Sequence, residues 1–109
     1  MSLDTQLAAQ LAALAARGQT ITYGDLARAL AVPGPGSIAR LTAALESLMA
    51  QDAEVGHPFR AALCRARLGD LPAPGFFAAA RALGRYDGPD AGPEAMNFVQ
   101  AERAALRGL

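Results

Sequence analysis

Leu3, Leu7, Leu11 and Leu14 recur at spacings of three and four, one stripe of a helix, and predict an α-helix over residues 3–16. Ser2 or Asp4 is suited to cap its start, and Gly18 to the left-handed position just past its end. Gln19 to Thr22 is short and β-branched and predicts a small strand. Thr22 and Asp25 then stand at a capping-box-like spacing, opening a helix through Leu30 that points Tyr23, Leu26 and Leu30 inward. Pro33-Gly34-Pro35-Gly36 must break that helix, because proline removes donors and glycine permits positive φ. Ser37 is the expected cap of a second helix, Ile38 to about Gln51. Its apolar side is Ile38, Leu41, Leu45, Leu48 and Met49; its other side is Arg40, Ala43, Ser47 and Ala50.

Beyond a polar loop from Asp52 to Pro58, residues Arg60 to Leu68 suit a strand. Gly69-Asp70 suits a turn, and Leu71 to Gly75 an extended return. A short helix follows over Gly75 to Leu83, with Pro74 in its first turn, Gly84 at its end and at least one of Phe76 and Phe77 in the core. Asp87 to Pro93 is a Gly/Pro/Asp-rich loop. A last helix, Glu94 to about Arg107, carries Met96, Phe98, Val99 and Leu106. Two helices across a tight turn, followed by a hairpin, predict an α+β, mainly α class. The architecture expected is a winged helix with a helix-turn-helix core, a small β-hairpin wing and an extra C-terminal helix, forming one domain over residues 1–109.

Composition agrees with a packed domain: 52% of the 109 residues are apolar and 18% charged. The formal net charge of +0 is not the footprint of a strong nucleic-acid binder, whose domain pI usually exceeds roughly 9. All ten basic residues are Arg, the better residue for bidentate phosphate contacts. A single cysteine, Cys64, excludes an intramolecular disulfide and fits a cytoplasmic location. The Leu/Ala-rich N-terminal run is interrupted by Gln10 and helically spaced, so it reads as neither a signal peptide nor a membrane span. Its leucine stripe suits either the core or a dimer face.

From His57 to Arg85 there are five arginines (60, 65, 67, 81 and 85) against one acid, Asp70. Arg65 and Arg67, at the edge of the expected wing, suit phosphate contacts or a solvated strand edge. Cys64 is most simply a buried small hydrophobe. Strand alternation turns Arg65 away from it, and His57 is the only histidine. One His and one Cys cannot assemble an N/S metal site, and no cofactor is expected. The carboxylates have no paired spacing beside an apolar cleft. Gly34-Pro35-Gly36-Ser37-Ile38-Ala39 formally matches a dinucleotide fingerprint, but a helix precedes it where a strand is required. What remains is a helix N-terminus, Ser37 to Arg40, suited to an anion. The outer face of the second helix is small, with a single Arg. A helix that reads bases normally offers several long polar side chains.

The run I-T-Y-G-D-L-A (Ile21 to Ala27), the Gly/Pro turn and I-A-R-L-T-A-A-L (Ile38 to Leu45) resemble the DNA-binding part of alkylguanine-DNA alkyltransferases and their non-catalytic alkyltransferase-like relatives. The stretch from Leu63 to Gly84 is similar to that family's segment after its active-site motif. The resemblance covers about half the chain. It implies that Tyr23 presses on the DNA backbone at a flipped nucleotide and that Arg40 fills the vacated place in the stack. The family's P-C-H-R motif is absent: Cys64 lacks a preceding Pro and a following His. The resemblance therefore implies the fold and a DNA-facing helix, not alkyl transfer. The Tyr-Gly-x-Leu-Ala phrase also fits generic winged helices, in which the tyrosine is core.

The chain is thus expected to be a small non-enzymatic protein binding double-stranded DNA through Tyr23, Ser37, Arg40, Ser47, Arg65 and Arg67. The alternative is a winged helix used for homodimerisation or for a protein partner.

Overall fold

The computed structural model describes residues 2–109 as five α-helices and one pair of two-residue strands. Helix α1 spans Leu3–Arg17, with the Ser2 hydroxyl accepting from Thr5 N–H and Gly18 closing the far end at φ 64°. Leu7, Leu11 and Leu14 are buried in the chain's own core, and Leu3 is half-buried. Strand β1, Ile21–Thr22, leads into α2, Tyr23–Ala29, where the Thr22 hydroxyl accepts from Asp25 N–H as the cap. Helix α3 spans Ser37–Glu54, one turn longer at its C-terminal end than the sequence suggests. Its N-cap is Gly36 at φ 82°, and Ser37 is the first helical residue. Glycine's freedom at that φ makes the turn, so the serine hydroxyl is not recruited.

The segment expected to be a long strand is different. Residues Arg60–Leu63 form a 3₁₀ turn, and only Cys64–Arg65 (β2) is extended. Strand β2 pairs in parallel with β1, Ile21 opposite Cys64 and Thr22 opposite Arg65. The hairpin ladder is missing because its donors are committed elsewhere. Phe59 N–H bonds the Glu102 carboxylate and Arg60 N–H the Asp52 carboxylate. Ala73 N–H bonds the Tyr23 hydroxyl, while Pro72 and Pro74 have no N–H to give. One backbone bond, Ala66 N–H to Leu71 C=O at 2.8 Å, closes the 66–71 loop.

Helix α4 is Pro74–Ala82 and α5 is Pro93–Arg107, each with proline in its first turn. The 3₁₀ turn lies at the centre, with α1, α3 and α5 packed on it. Its Ala61, Ala62 and Leu63, and Cys64 after it, are all buried. Small side chains there let three helices approach one turn of backbone. An aromatic cluster fills the α4 side, with Phe59 meeting Phe76 edge-on at 6.0 Å and Phe76 meeting Phe77 at 5.2 Å.

Candidate nucleic-acid interface

The arginines do not gather as one basic wing. Arg60 forks onto Asp52, with Nη2 2.7 Å and Nε 3.0 Å from Oδ1. Arg85 Nη2 lies 2.6 Å from the Glu102 carboxylate, and its guanidinium sits 3.9 Å over the Phe59 ring. Arg81 pairs with Asp90 at 2.6 Å. Three of the five arginines between His57 and Arg85 are therefore internal clips. Arg28 pairs with Asp25, and Arg103 with Asp70 at 3.2 Å. Among the described residues, Arg17, Arg40, Arg65, Arg67 and Arg107 have no carboxylate partner.

Arg65, half-buried, donates from Nε to the Thr20 hydroxyl at 3.3 Å. Arg67 is exposed and has no hydrogen bond or ion pair to a described residue. Arg40 is exposed and donates to the Pro33 carbonyl, tying the first turn of α3 back to the Gly/Pro turn. Ser47 is exposed in the middle of α3. Tyr23 is mostly inside. Its hydroxyl accepts from Ala73 N–H at 3.0 Å, and burial pushes its pKa up to about 12.

Two shallow clefts run across the α2 end of the molecule. One, of about 480 Å³, lies between Arg67, Thr22, Tyr23 and the first turn of α2. The other, of about 550 Å³, continues from Gly24 and Arg28 to Ser37 and Ile38. Gly24 and Arg28 belong to both, so they form one furrow from Arg67 to the start of α3. That start has no side-chain cap and no acid in its first turn. Arg40 N–H is bonded to Gly36 C=O, leaving the N–H groups ahead of it open to an anion. The furrow thus joins Arg67, the Asp25–Arg28 pair and Ser37, with Arg40 one turn further along α3 and outside its lining. Tyr23 is among its lining residues, with its hydroxyl held by Ala73 N–H.

Cys64 is fully buried, and burial pushes its thiol pKa up to about 12, so almost no thiolate exists at neutral pH. Among the described residues no group of three His, Cys, Asp or Glu could hold a metal ion. No helix among them is long and apolar enough to cross a membrane.

The buried clip at Asp52 was not anticipated. Asp52 is 1% exposed and takes Arg60 N–H as well as the guanidinium, with His57 Nδ1 3.5 Å away. His57 Nδ1 itself donates to the Pro58 carbonyl at 2.7 Å. Comparison with protein-family models, curated proteins and solved structures finds no match to this chain.

Proposed function

We propose that the chain is a winged-helix protein that binds double-stranded DNA, with α2 and α3 as the helix-turn-helix and the 64–71 loop as a reduced wing. The observation that carries this reading is the furrow from Arg67 across Arg28 to the uncapped start of α3. A duplex backbone is a line of phosphates, and the furrow is a row of donors, with Asp25 neutralised by Arg28 among them, ending on a helix N-terminus. The exposed face of α3 beyond Arg40 is Ala43, Glu46, Ser47, Ala50, Gln51 and Glu54, with the two acids toward its middle and C-terminal end. Small side chains allow close approach to a groove but read few base edges. Binding is therefore mainly to the backbone and weakly selective for sequence. Tyr23 supports the turn from inside, the role it has in a generic winged helix. Catalysis is not part of this reading, because Cys64 is sealed in the core.

Fluorescence anisotropy with a short duplex tests the proposal. Arg28 stays paired with Asp25, so contacts from Arg40 and Arg67 give a log–log salt slope of about −2, at roughly −0.9 per phosphate. Arg67→Ala flattens that slope by about 1. A salt-independent signal, or an unchanged slope in both Arg67→Ala and Arg40→Ala, overturns it.

A further inference from the structure

A second cleft, of about 420 Å³, lies between the end of α1 and the last two turns of α5. It is lined by Gly18, Gln19 and Thr20 on one side, and by Gln100, Arg103 and Arg107 on the other. Asp70 is at its edge and Leu63 at its floor. None of these residues lines the furrow proposed for DNA.

Arg103 is held rigidly. Its Nε lies 2.7 Å from the Ala62 carbonyl, its Nη2 2.8 Å from the Asp70 carbonyl, and its Nη1 3.2 Å from the Asp70 carboxylate. Two of the five N–H donors of the guanidinium are in hydrogen bonds to backbone carbonyls, and Nη1 stands in an ion pair with Asp70. Arg107 has no partner among the described residues. Its stem lies over Gly18 so closely that a Cβ there would stand 3.2 Å from Cδ and 3.5 Å from Nη1. The bare glycine thus lets the guanidinium reach the cleft mouth. Two cations face one acid, and because that acid is paired with Arg103 the uncompensated charge in the lining is Arg107. Arg65 adds a third cation one hydrogen bond away, through the Thr20 hydroxyl.

We propose that this cleft binds a small phosphate-bearing molecule of mononucleotide size. The phosphate lies between fixed Arg103 and free Arg107, and the Gln19 and Gln100 amides meet hydrogen-bonding edges of the body. A donor fork already locked by its own fold loses little freedom on binding. The volume is also in the range of small-molecule sites, roughly 300 to 1,000 Å³, and exceeds what a lone phosphate needs. The amides offer both donor and acceptor, which suits a base or sugar edge and not an alkyl chain.

Amide NMR titration of the full chain with adenosine monophosphate, and separately with inorganic phosphate, tests the site. The nucleotide is expected to give saturable shifts at Gly18, Gln19, Thr20 and the Gln100 side-chain amide, with inorganic phosphate acting at the same place more weakly. Arg107→Ala, a surface change that leaves the core intact, weakens both by at least about tenfold, the loss of one charge-assisted hydrogen bond. Gln100→Leu weakens the nucleotide but not inorganic phosphate. Arg67→Ala leaves nucleotide binding unchanged, which separates this site from the DNA reading. Shifts unaffected by Arg107→Ala, or spread over all the exposed arginines, overturn the proposal. So does a DNA duplex that shifts the same amides and is displaced by the nucleotide, because the cleft would then serve the DNA backbone.

Discussion

Asp52→Asn alters the buried carboxyl group that holds Arg60. The carboxylate is 1% exposed and receives three Arg60 donors: the backbone N–H at 3.0 Å, Nε at 3.0 Å and Nη2 at 2.7 Å. Asparagine keeps one acceptor oxygen and turns an NH₂ group toward a guanidinium. Breaking a buried pair from one side costs about 3 to 5 kcal/mol. Arg60 keeps 25% side-chain exposure and so regains some water, which places the expected loss near the lower bound, at about 3 kcal/mol. At about 4 °C per kcal/mol for a domain of this size, the melting temperature falls by about 12 °C. Urea denaturation followed by circular dichroism measures it, with an unchanged m-value expected. The double variant Asp52→Leu/Arg60→Met recovers part of the loss, because no uncompensated charge remains while the Arg60 backbone N–H stays without its acceptor. A single-variant loss below about 1 kcal/mol, or a double variant as unstable as the sum of the singles, refutes the reasoning.

Two further predictions follow from buried groups. Burial raises Cys64 from 9.0 to about 12. Between those values the unfolded chain binds fewer protons than the native one, so stability falls as pH rises, by up to about 4 kcal/mol at the upper end. Cys64→Ala removes that part of the slope in urea titrations at pH 9 to 11; identical slopes in the two proteins refute it. Tyr23→Phe takes the acceptor from Ala73 N–H and is expected to cost about 1 kcal/mol. Faster hydrogen exchange at the Ala73 amide locates the effect, and unchanged protection there argues against it.

Much of the helical framework was legible in the chain because local signals and burial agree there. The leucine stripe of α1, the Thr22 cap, the Pro/Gly break and the Phe pair of α4 all fall where periodicity and turn chemistry place them. The structure departs from the strand expected over Arg60 to Leu68 because β propensity is a weak prior. Residues 60–63 read as strand in isolation, but carboxylates from α3 and α5 bond the N–H groups of Arg60 and Phe59. The signal for that was present. Carried one turn further, the apolar stripe Leu41, Leu45, Leu48 reaches Asp52. On α5, the stripe of Ala95, Val99 and Leu106 passes Glu102 and Arg103. An acid on an apolar stripe demands a partner, and the arginines nearby in the fold supply it. Only the identity of each partner needs three dimensions: Arg85 and Glu102 are 17 residues apart, and Phe59 and Glu102 are 43.

Net charge misleads for the same reason. The total of +0 sums two populations of arginine. Five are paired with acids and contribute little field beyond their own contact. The other five, Arg17, Arg40, Arg65, Arg67 and Arg107, set the potential where they stand. The acids without an ion pair to a described residue are Asp4, Glu46, Glu54, Asp87 and Glu94. Asp4 lies at the opposite end of α1 from Arg17, a helix of 15 residues and so about 22 Å long. At physiological salt a charge is felt over about 8 Å. Each cleft holds one carboxylate, Asp25 paired with Arg28 and Asp70 paired with Arg103, so what a ligand meets beyond those pairs is Arg67 in the furrow and Arg107 in the other cleft, and a chain neutral in sum can still present a local excess of guanidinium.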